Sequence, residues 1–198
     1  MQQSSILIFI KNAVKGKVKT RLAASVGDDK ALKIYKALLA HTRDIVTPLA
    51  AERHLFYSDQ INLTDEWPND LFHKHLQEGE DLGARIGHAF QRVFQTSAPA
   101  LIIGSDCASL RTEIIEQAFK HLQDKEFVIG PALDGGYYLL GMRSYQPSLF
   151  DGIHWSSPQV LQQTLDAIQR LNGTYALLPE LSDIDYEEDW QRYGWELD

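Results

Sequence analysis

Ala100-Leu101-Ile102-Ile103-Gly104-Ser105-Asp106 is the stretch on which the reading of this chain turns. An apolar run ends abruptly in a glycine, a serine and a carboxylate. In a sheet with helices on both faces such a run is a buried strand, and ligands gather outside the carboxyl ends of the strands. Asp106 is therefore aimed at a cleft. Two other stretches place glycine and charge where the chain leaves a buried strand: Gly16-Lys17-Val18-Lys19-Thr20-Arg21 and Gly130-Pro131-Ala132-Leu133-Asp134-Gly135-Gly136-Tyr137. Cations early in the chain and carboxylates late in it are what a metal-assisted phosphate site needs.

Outward from that strand, apolar runs and helical periodicity alternate. Ile6 to Ile10 reads as a first strand. A helix capped by Asp28 or Asp29 follows, with Ala31, Leu32, Ile34, Tyr35, Leu38, Leu39 and Thr42 at helical spacing. Leu55 to Tyr57 and Phe72 to Gln77 are short strands, and a helix opens at Asp81. After the central strand, Leu101 to Gly104, come a helix from Thr112 to Leu122 and a return to the sheet at Phe127 to Gly130. This alternation predicts a largely parallel α/β sheet. Tyr137 to Gly141 has no room for a helix before it, which makes it an antiparallel excursion and the sheet mixed. A helix from Pro158 to about Leu171, a strand from Tyr175 to Leu178 and a helix from Glu187 to Tyr193 complete the pattern.

With 198 residues, 44% of them hydrophobic and 23% charged, the chain suffices for one sizeable core, and residues 1–198 are expected to form one domain. A net charge of -8 argues against a nucleic-acid partner, which would call for a broad basic face. Basic charge is nonetheless concentrated locally: Lys11, Lys15, Lys17, Lys19 and Arg21 fall within one short window. Cys107 is the only cysteine, so no internal disulfide can form and a reducing, cytoplasmic setting is expected. A small buried hydrophobe explains it better than a nucleophile. Met1 to Ser5 carries no Lys or Arg and the apolar run behind it is short, which fits neither a signal peptide nor a membrane span.

Gly16 would let the backbone turn tightly towards an anion while Lys and Arg neutralise it. Neither G-x-x-x-x-G-K-[ST] nor G-x-G-x-x-G is present, so P-loop and dinucleotide redox chemistry lose support. Lys19 and Arg21, two apart, would point the same way in an extended loop and could grip one diphosphate; a salt-bridged surface is the plain alternative. Asp106 could ligate Mg²⁺ or Mn²⁺, which prefer carboxylate oxygen and bridge substrate phosphates. A second ligand could come from Asp134 or from Asp183 and Asp185, which share one side of an extended segment with Ile184 on the other. Glu187, Glu188 and Asp189 are explained as the acidic first turn of a helix. Asp134 to Tyr137 reads as a tight turn or as a ligand rim that Gly135 and Gly136 open to close approach. Arg85, in the first turn after the Glu78 to Ala84 loop, could meet a phosphate or a base edge. Trp155, between His154 and Ser156, could line an acceptor pocket or simply pack. His73 and His75 lack a third metal ligand nearby, and a half-exposed strand face accounts for them.

Phe9-Ile10-Lys11, Gly16 to Leu22, Asp81-Leu82-Gly83-Ala84-Arg85, Gly104-Ser105-Asp106-Cys107, Gly130 to Tyr138 and Trp155-Ser156 occur in an order that resembles the DUF2064 family of GT-A-like proteins, within the nucleotide-diphospho-sugar transferase superfamily. Some members of that family are named as arsenosugar-biosynthesis glycosyltransferases. The resemblance covers nearly the whole chain. It implies a three-layer α/β/α sandwich of GT-A type with a mixed, mostly parallel sheet. It also implies nucleotide binding by Lys11, Gly16, Lys17, Lys19 and Arg21, with Gly79 to Arg85 near base and ribose. Asp106 would be the metal-binding aspartate of a D-x-D element whose first position is Gly104, and Asp185 a second metal-binding position. Relatives often carry prolines where this chain has Asn12-Ala13-Val14-Lys15 and Ala108, and an Asp-Thr where it has Asp185-Tyr186.

The expected activity is transfer from a nucleotide-activated donor, with Mg²⁺ or Mn²⁺ as cofactor. The leading form is a glycosyltransferase using a nucleotide-diphospho-sugar and a small-molecule acceptor. Lys19 would assist the leaving diphosphate, Asp134 would contact the acceptor hydroxyl or act as base, and Gly135, Gly136, Tyr137 and Trp155 would shape the acceptor side. The alternatives are a guanylyltransferase-like nucleotidyltransferase taking a nucleoside triphosphate and releasing pyrophosphate, and a nucleotide-binding protein without catalysis.

Overall fold

Isoleucine and leucine make the first strand, β1 (Ser5–Ile10), and their alternation feeds two layers at once: Ile6, Ile8 and Ile10 enter one core and Leu7 the other. The computed structural model describes residues 3–197. Six further strands follow: β2 (Glu52–Tyr57), β3 (His73–Leu76), β4 (Ala100–Ile103), β5 (Phe127–Pro131), β6 (Tyr137–Met142) and β7 (Tyr175–Leu177). They form one sheet in the order β3-β2-β1-β4-β6-β5-β7. β1 pairs in parallel with β2 and β4, whereas β6 runs antiparallel to both β4 and β5. The mixed, mostly parallel sheet is the expected one, and Tyr137 to Met142 is the excursion.

Helices cover both faces. Val46 of α2 (Asp28–Val46) and Ile115, Ala118 and Leu122 of α4 (Thr112–Asp124) pack against Ile6, Ile8, Leu101 and Val128. On the opposite face, Ile86, Phe90 and Val93 of α3 (Leu82–Val93) and Ala167 and Ile168 of α5 (Val160–Arg170) meet Leu7, Ile102, Ile129 and Leu140. A third cluster joins α1 (Thr20–Val26), α2 and the segment before α6 (Glu187–Tyr193) through Leu22, Ile34, Leu38 and Ile184. Helix α1 corrects the sequence reading: Thr20 and Arg21 begin a helix instead of continuing an extended loop, because burial of Leu22 rewards the turn. Asp81 caps α3 by accepting from the Ala84 N–H at 2.8 Å, as its position suggests. The helix reaching Asp124 starts from Arg111, and the Thr112 hydroxyl donates to the Ile45 carbonyl instead of capping.

At one sheet edge, His54 on β2 stands opposite His73 on β3. His54 Nδ1 and His75 Nε2 are 3.1 Å apart and share one proton. The rings meet nearly coplanar, with centroids 5.4 Å apart and planes at 17°, so their nitrogens face one another as a hydrogen-bonded couple. Burial first, then the neighbouring His73, holds His54 down from its ordinary 6.5 to about 4, against a weaker pull from Glu52. Burial likewise lowers His75 to about 4, helped by His54, Arg92 and His73. The folded state therefore prefers these rings neutral. Their contribution is complete above pH 6.5 and is lost as pH falls towards 4, because only the unfolded chain then takes up the protons. We expect the unfolding free energy in urea to fall by on the order of 2 kcal/mol between pH 7.5 and 5. Replacing His54 with Phe should flatten that slope; equal slopes in both proteins would reject the assignment.

Candidate active site

Lys19 stands at the start of α1 in a left-handed conformation, φ 49° and ψ 44°. A non-glycine residue holds such a backbone only where its surroundings fix it, at a cost of order 1 kcal/mol. Here the fixing contacts are ionic. Lys19 Nζ lies 2.9 Å from Asp106 Oδ1 and 3.6 Å from Asp185 Oδ1, with 5% of its side chain exposed. Arg21 donates to the other Asp185 oxygen at 2.9 Å, although the two residues are 164 apart in the chain. Asp106 follows the carboxyl end of β4, and the Asp183–Asp185 segment is brought beside it by a buried anchor. Ile184 is fully buried, and its N–H donates to the Asp106 carbonyl at 2.9 Å. Asp189, in the first turn of α6, accepts from the Asp185 and Tyr186 N–H groups at 3.0 and 2.8 Å and fixes the far side of the segment.

Asp183 is the odd member. Burial pushes its carboxyl up to about 7, the charge of Asp106 adds to this, Lys19 opposes it, and Asp134 and Asp185 add further. Asp134 thus lies within electrostatic range of the same cluster. Cys107 beside it is buried and pushed up to about 12, so its thiol stays protonated and it packs as a small hydrophobe.

These groups open into a cavity of about 520 Å³. Lys11, Lys17, Lys19, Arg21, Asp106 and Asp185 form its charged part, and Phe9, Ile10 and Leu82 its apolar part. Tyr35 of α2 holds the floor: its hydroxyl accepts from the Lys11 N–H at 2.8 Å and donates to the Lys11 carbonyl at 3.0 Å. Gln77 donates through Nε2 to the Ile10 and Phe56 carbonyls at 3.1 and 3.0 Å. Sequence reasoning missed both roles, since Tyr35 presents itself only as a core position of a helix and Gln77 only as the end of a strand. Asn12 stitches its loop to the next one by accepting from the Asp59 and Gln60 N–H groups and donating to the Gln60 carbonyl. A larger cavity, about 730 Å³, lies at the His54 edge. Its lining includes Glu52, His54 and Arg92, whereas the smaller cavity gathers Lys11, Lys17, Lys19, Arg21, Asp106 and Asp185.

Other residues singled out by sequence lie elsewhere. Lys15 pairs with Asp29 at 2.7 Å on the exposed side of α2. Gly16, at φ 75°, makes the turn of the basic loop without lining the cavity. Arg85 folds back on its own loop, Nε donating to the Gly79 carbonyl at 3.1 Å, and neither residue lines the cavity. Asp134 Oδ1 accepts from the Gly136 N–H at 2.9 Å, the tight turn of the plain reading. Gly135, at φ 88°, leaves no room for a side chain because a Cβ there would overlap the Pro158 carbonyl. The Tyr137 hydroxyl is buried beside Thr164 and does not line the cavity, so it is out of an acceptor's reach there. Trp155 lies against Gly83, where a Cβ would strike its indole, and 6.4 Å from the Phe150 ring. It packs, and lines a separate hollow with Asp81 and Phe150.

The Asp106 and Asp185 carboxylates fit a hard divalent cation. Two carboxylates from different segments already converge on one positive group, the ammonium of Lys19, which stands in for a cation. Among the described residues no three His, Cys, Asp or Glu side chains are grouped to hold a metal by themselves. Mg²⁺ and Mn²⁺ take one or two carboxylates and complete their shell with water and phosphate.

A family profile described as "Uncharacterized protein conserved in bacteria (DUF2064)" matches residues 41–157. This chain belongs to DUF2064. Over 94% of this DUF2064 protein and 84% of the other chain, a crystal structure from Desulfovibrio desulfuricans G20, provisionally described as a nucleotide-diphospho-sugar transferase, is 36% identical with a TM-score of 0.87. The inositol-1-phosphate CTP transferase of T. maritima is 14% identical, with a TM-score of 0.65 over 95% of this chain and 91% of that one. Glucosyl-3-phosphoglycerate synthase of Mycobacterium tuberculosis, solved with Mn²⁺, uridine diphosphate and phosphoglyceric acid, is 8% identical, with a TM-score of 0.56 over 92% of this chain and 69% of that one. The last two likenesses show the fold alone. No curated protein matches the sequence. The DUF2064 chain has the α/β fold of the nucleotide-diphospho-sugar transferases, and no helix among its described residues is long and apolar enough to cross a membrane.

Proposed function

We propose that this protein is a divalent-metal-dependent transferase acting on a nucleotide-activated donor, in first place a glycosyltransferase that uses a nucleotide-diphospho-sugar and a small-molecule acceptor. One observation carries the reading: Lys19 and Arg21 from α1, Asp106 behind β4 and Asp185 before α6 converge in one cavity at the carboxyl ends of β1 and β4. Lys11, Lys17, Lys19 and Arg21 would bind the diphosphate. The apolar part of the cavity, with Gln77 held at its edge, would receive the base. Asp106 and Asp185 would hold Mg²⁺ or Mn²⁺, which supplies charge neutralisation at the leaving diphosphate. Asp134, in the turn after β5, would take the acceptor's hydroxyl proton or orient that hydroxyl. The buried, inert Cys107 suits a reducing compartment, and we assign the protein to the cytoplasm as a single GT-A-like unit.

The basic loop also favours a second reading, nucleotidyl transfer, because pyrophosphate departing from a nucleoside triphosphate would need the same cations. Product analysis separates the two. The protein is incubated with nucleoside triphosphates and nucleotide sugars in the presence of Mn²⁺, and the products are followed by ³¹P NMR. Release of a nucleoside diphosphate supports sugar transfer, and release of pyrophosphate supports nucleotidyl transfer. A thermal shift with nucleotide but no turnover of any donor would instead leave a binding protein.

A further inference from the structure

Lys19 occupies the place that a divalent cation would need. Its ammonium takes Asp106 Oδ1 at 2.9 Å and lies 3.6 Å from Asp185 Oδ1, while Arg21 holds the second Asp185 oxygen. A hard cation bound through those same oxygens would stand beside the ammonium, and like charges so close repel. Without a cation there, Asp106 and Asp185 would repel one another. A lysine suits a temporary occupant better than an arginine does, because its point charge rides on a flexible stem and forms no bidentate clamp.

On the basis of the metal reading above, we propose that Lys19 is an exchangeable internal counter-ion. It neutralises the Asp106–Asp185 pair until a divalent cation takes its place, and the freed ammonium then becomes available to the phosphates of the ligand. Metal and anion binding are thereby coupled, and by linkage each raises the affinity of the other by the same factor. Lys17, exposed two residues earlier in the same loop, carries the same charge without standing between the carboxylates.

The test measures Mn²⁺ binding by electron paramagnetic resonance of the free ion, with no nucleotide present. Lys19→Met and Lys19→Gly should each bind Mn²⁺ on the order of tenfold tighter than the unmodified chain. The glycine variant keeps the left-handed backbone accessible and guards against misfolding of the first. Lys17→Met should change the affinity by less than about twofold, because an exposed charge is screened. Unchanged or weaker Mn²⁺ binding in both Lys19 variants, or equal tightening by Lys17→Met, overturns the exchange. In metal-free buffer, pyrophosphate titrated calorimetrically should bind Lys19→Met within about twofold of the unmodified chain, since Lys19 is then engaged by the aspartates. A several-fold loss there also overturns it. Failure of the underlying metal reading looks different: no variant binds Mn²⁺, or Asp106→Asn binds it as well as the unmodified chain does.

Discussion

Asp106→Asn is expected to lower turnover roughly a thousandfold while shifting the melting temperature by only a few degrees. On the proposed metal reading two carboxylates hold the cation, so losing one would leave Asp185 alone to hold a hard ion. Folding is spared for three reasons. The Asp106 side chain is 43% exposed, the asparagine oxygen can still accept from Lys19, and removing one negative charge relieves the buried Asp183. Steady-state kinetics on the donor identified by product analysis, together with a thermal melt, check this. Turnover near that of the unmodified protein would remove Asp106 from the chemistry.

Ile184→Ala should cost about 2–5 kcal/mol of stability and weaken Mn²⁺ binding as well. Ile184 is fully buried in the cluster of α1, α2 and α6, and it is the only residue between the two aspartates of the tail segment. Truncating it removes packing and loosens the strap that places Asp185 against Asp106, although the backbone bond to the Asp106 carbonyl remains possible. Leu38→Ala is the control, being fully buried in the same cluster with no carboxylate on either side of it. It should destabilise by a similar amount and leave Mn²⁺ affinity unchanged. Urea unfolding and metal titration on both variants decide the matter, and equal metal affinity in the two would deny Ile184 any part in placing the site.

The sheet was readable because its central strands are unbroken apolar runs that stop at glycine or charge. Ala100 to Ile103 ends at Gly104, and Ile6 to Ile10 ends at Lys11. The alternation of Asp183, Ile184 and Asp185 was readable for the same local reason, since an extended chain puts neighbours on opposite sides. Helix α1 was not, because it is short, opens on a left-handed lysine and lacks a capping side chain. Its presence alters how Lys19 and Arg21 converge: they meet at Asp185 through a helical turn and not through an extended loop. Arg85 looked free to reach a ligand because nothing in its spacing reveals the bond to the Gly79 carbonyl. His54 escaped notice because its partners, His73 and His75, lie on the neighbouring strand, and strand register cannot be read from one strand alone.

The bond from the Ile184 N–H to the Asp106 carbonyl bears on biogenesis. During synthesis Lys19 and Asp106 leave the ribosome long before Asp185 does, so the emerging polypeptide exposes one acid beside one base and no paired site. The convergence of Asp185 with Lys19 and Asp106 therefore forms only when the tail swings back onto the strand ends.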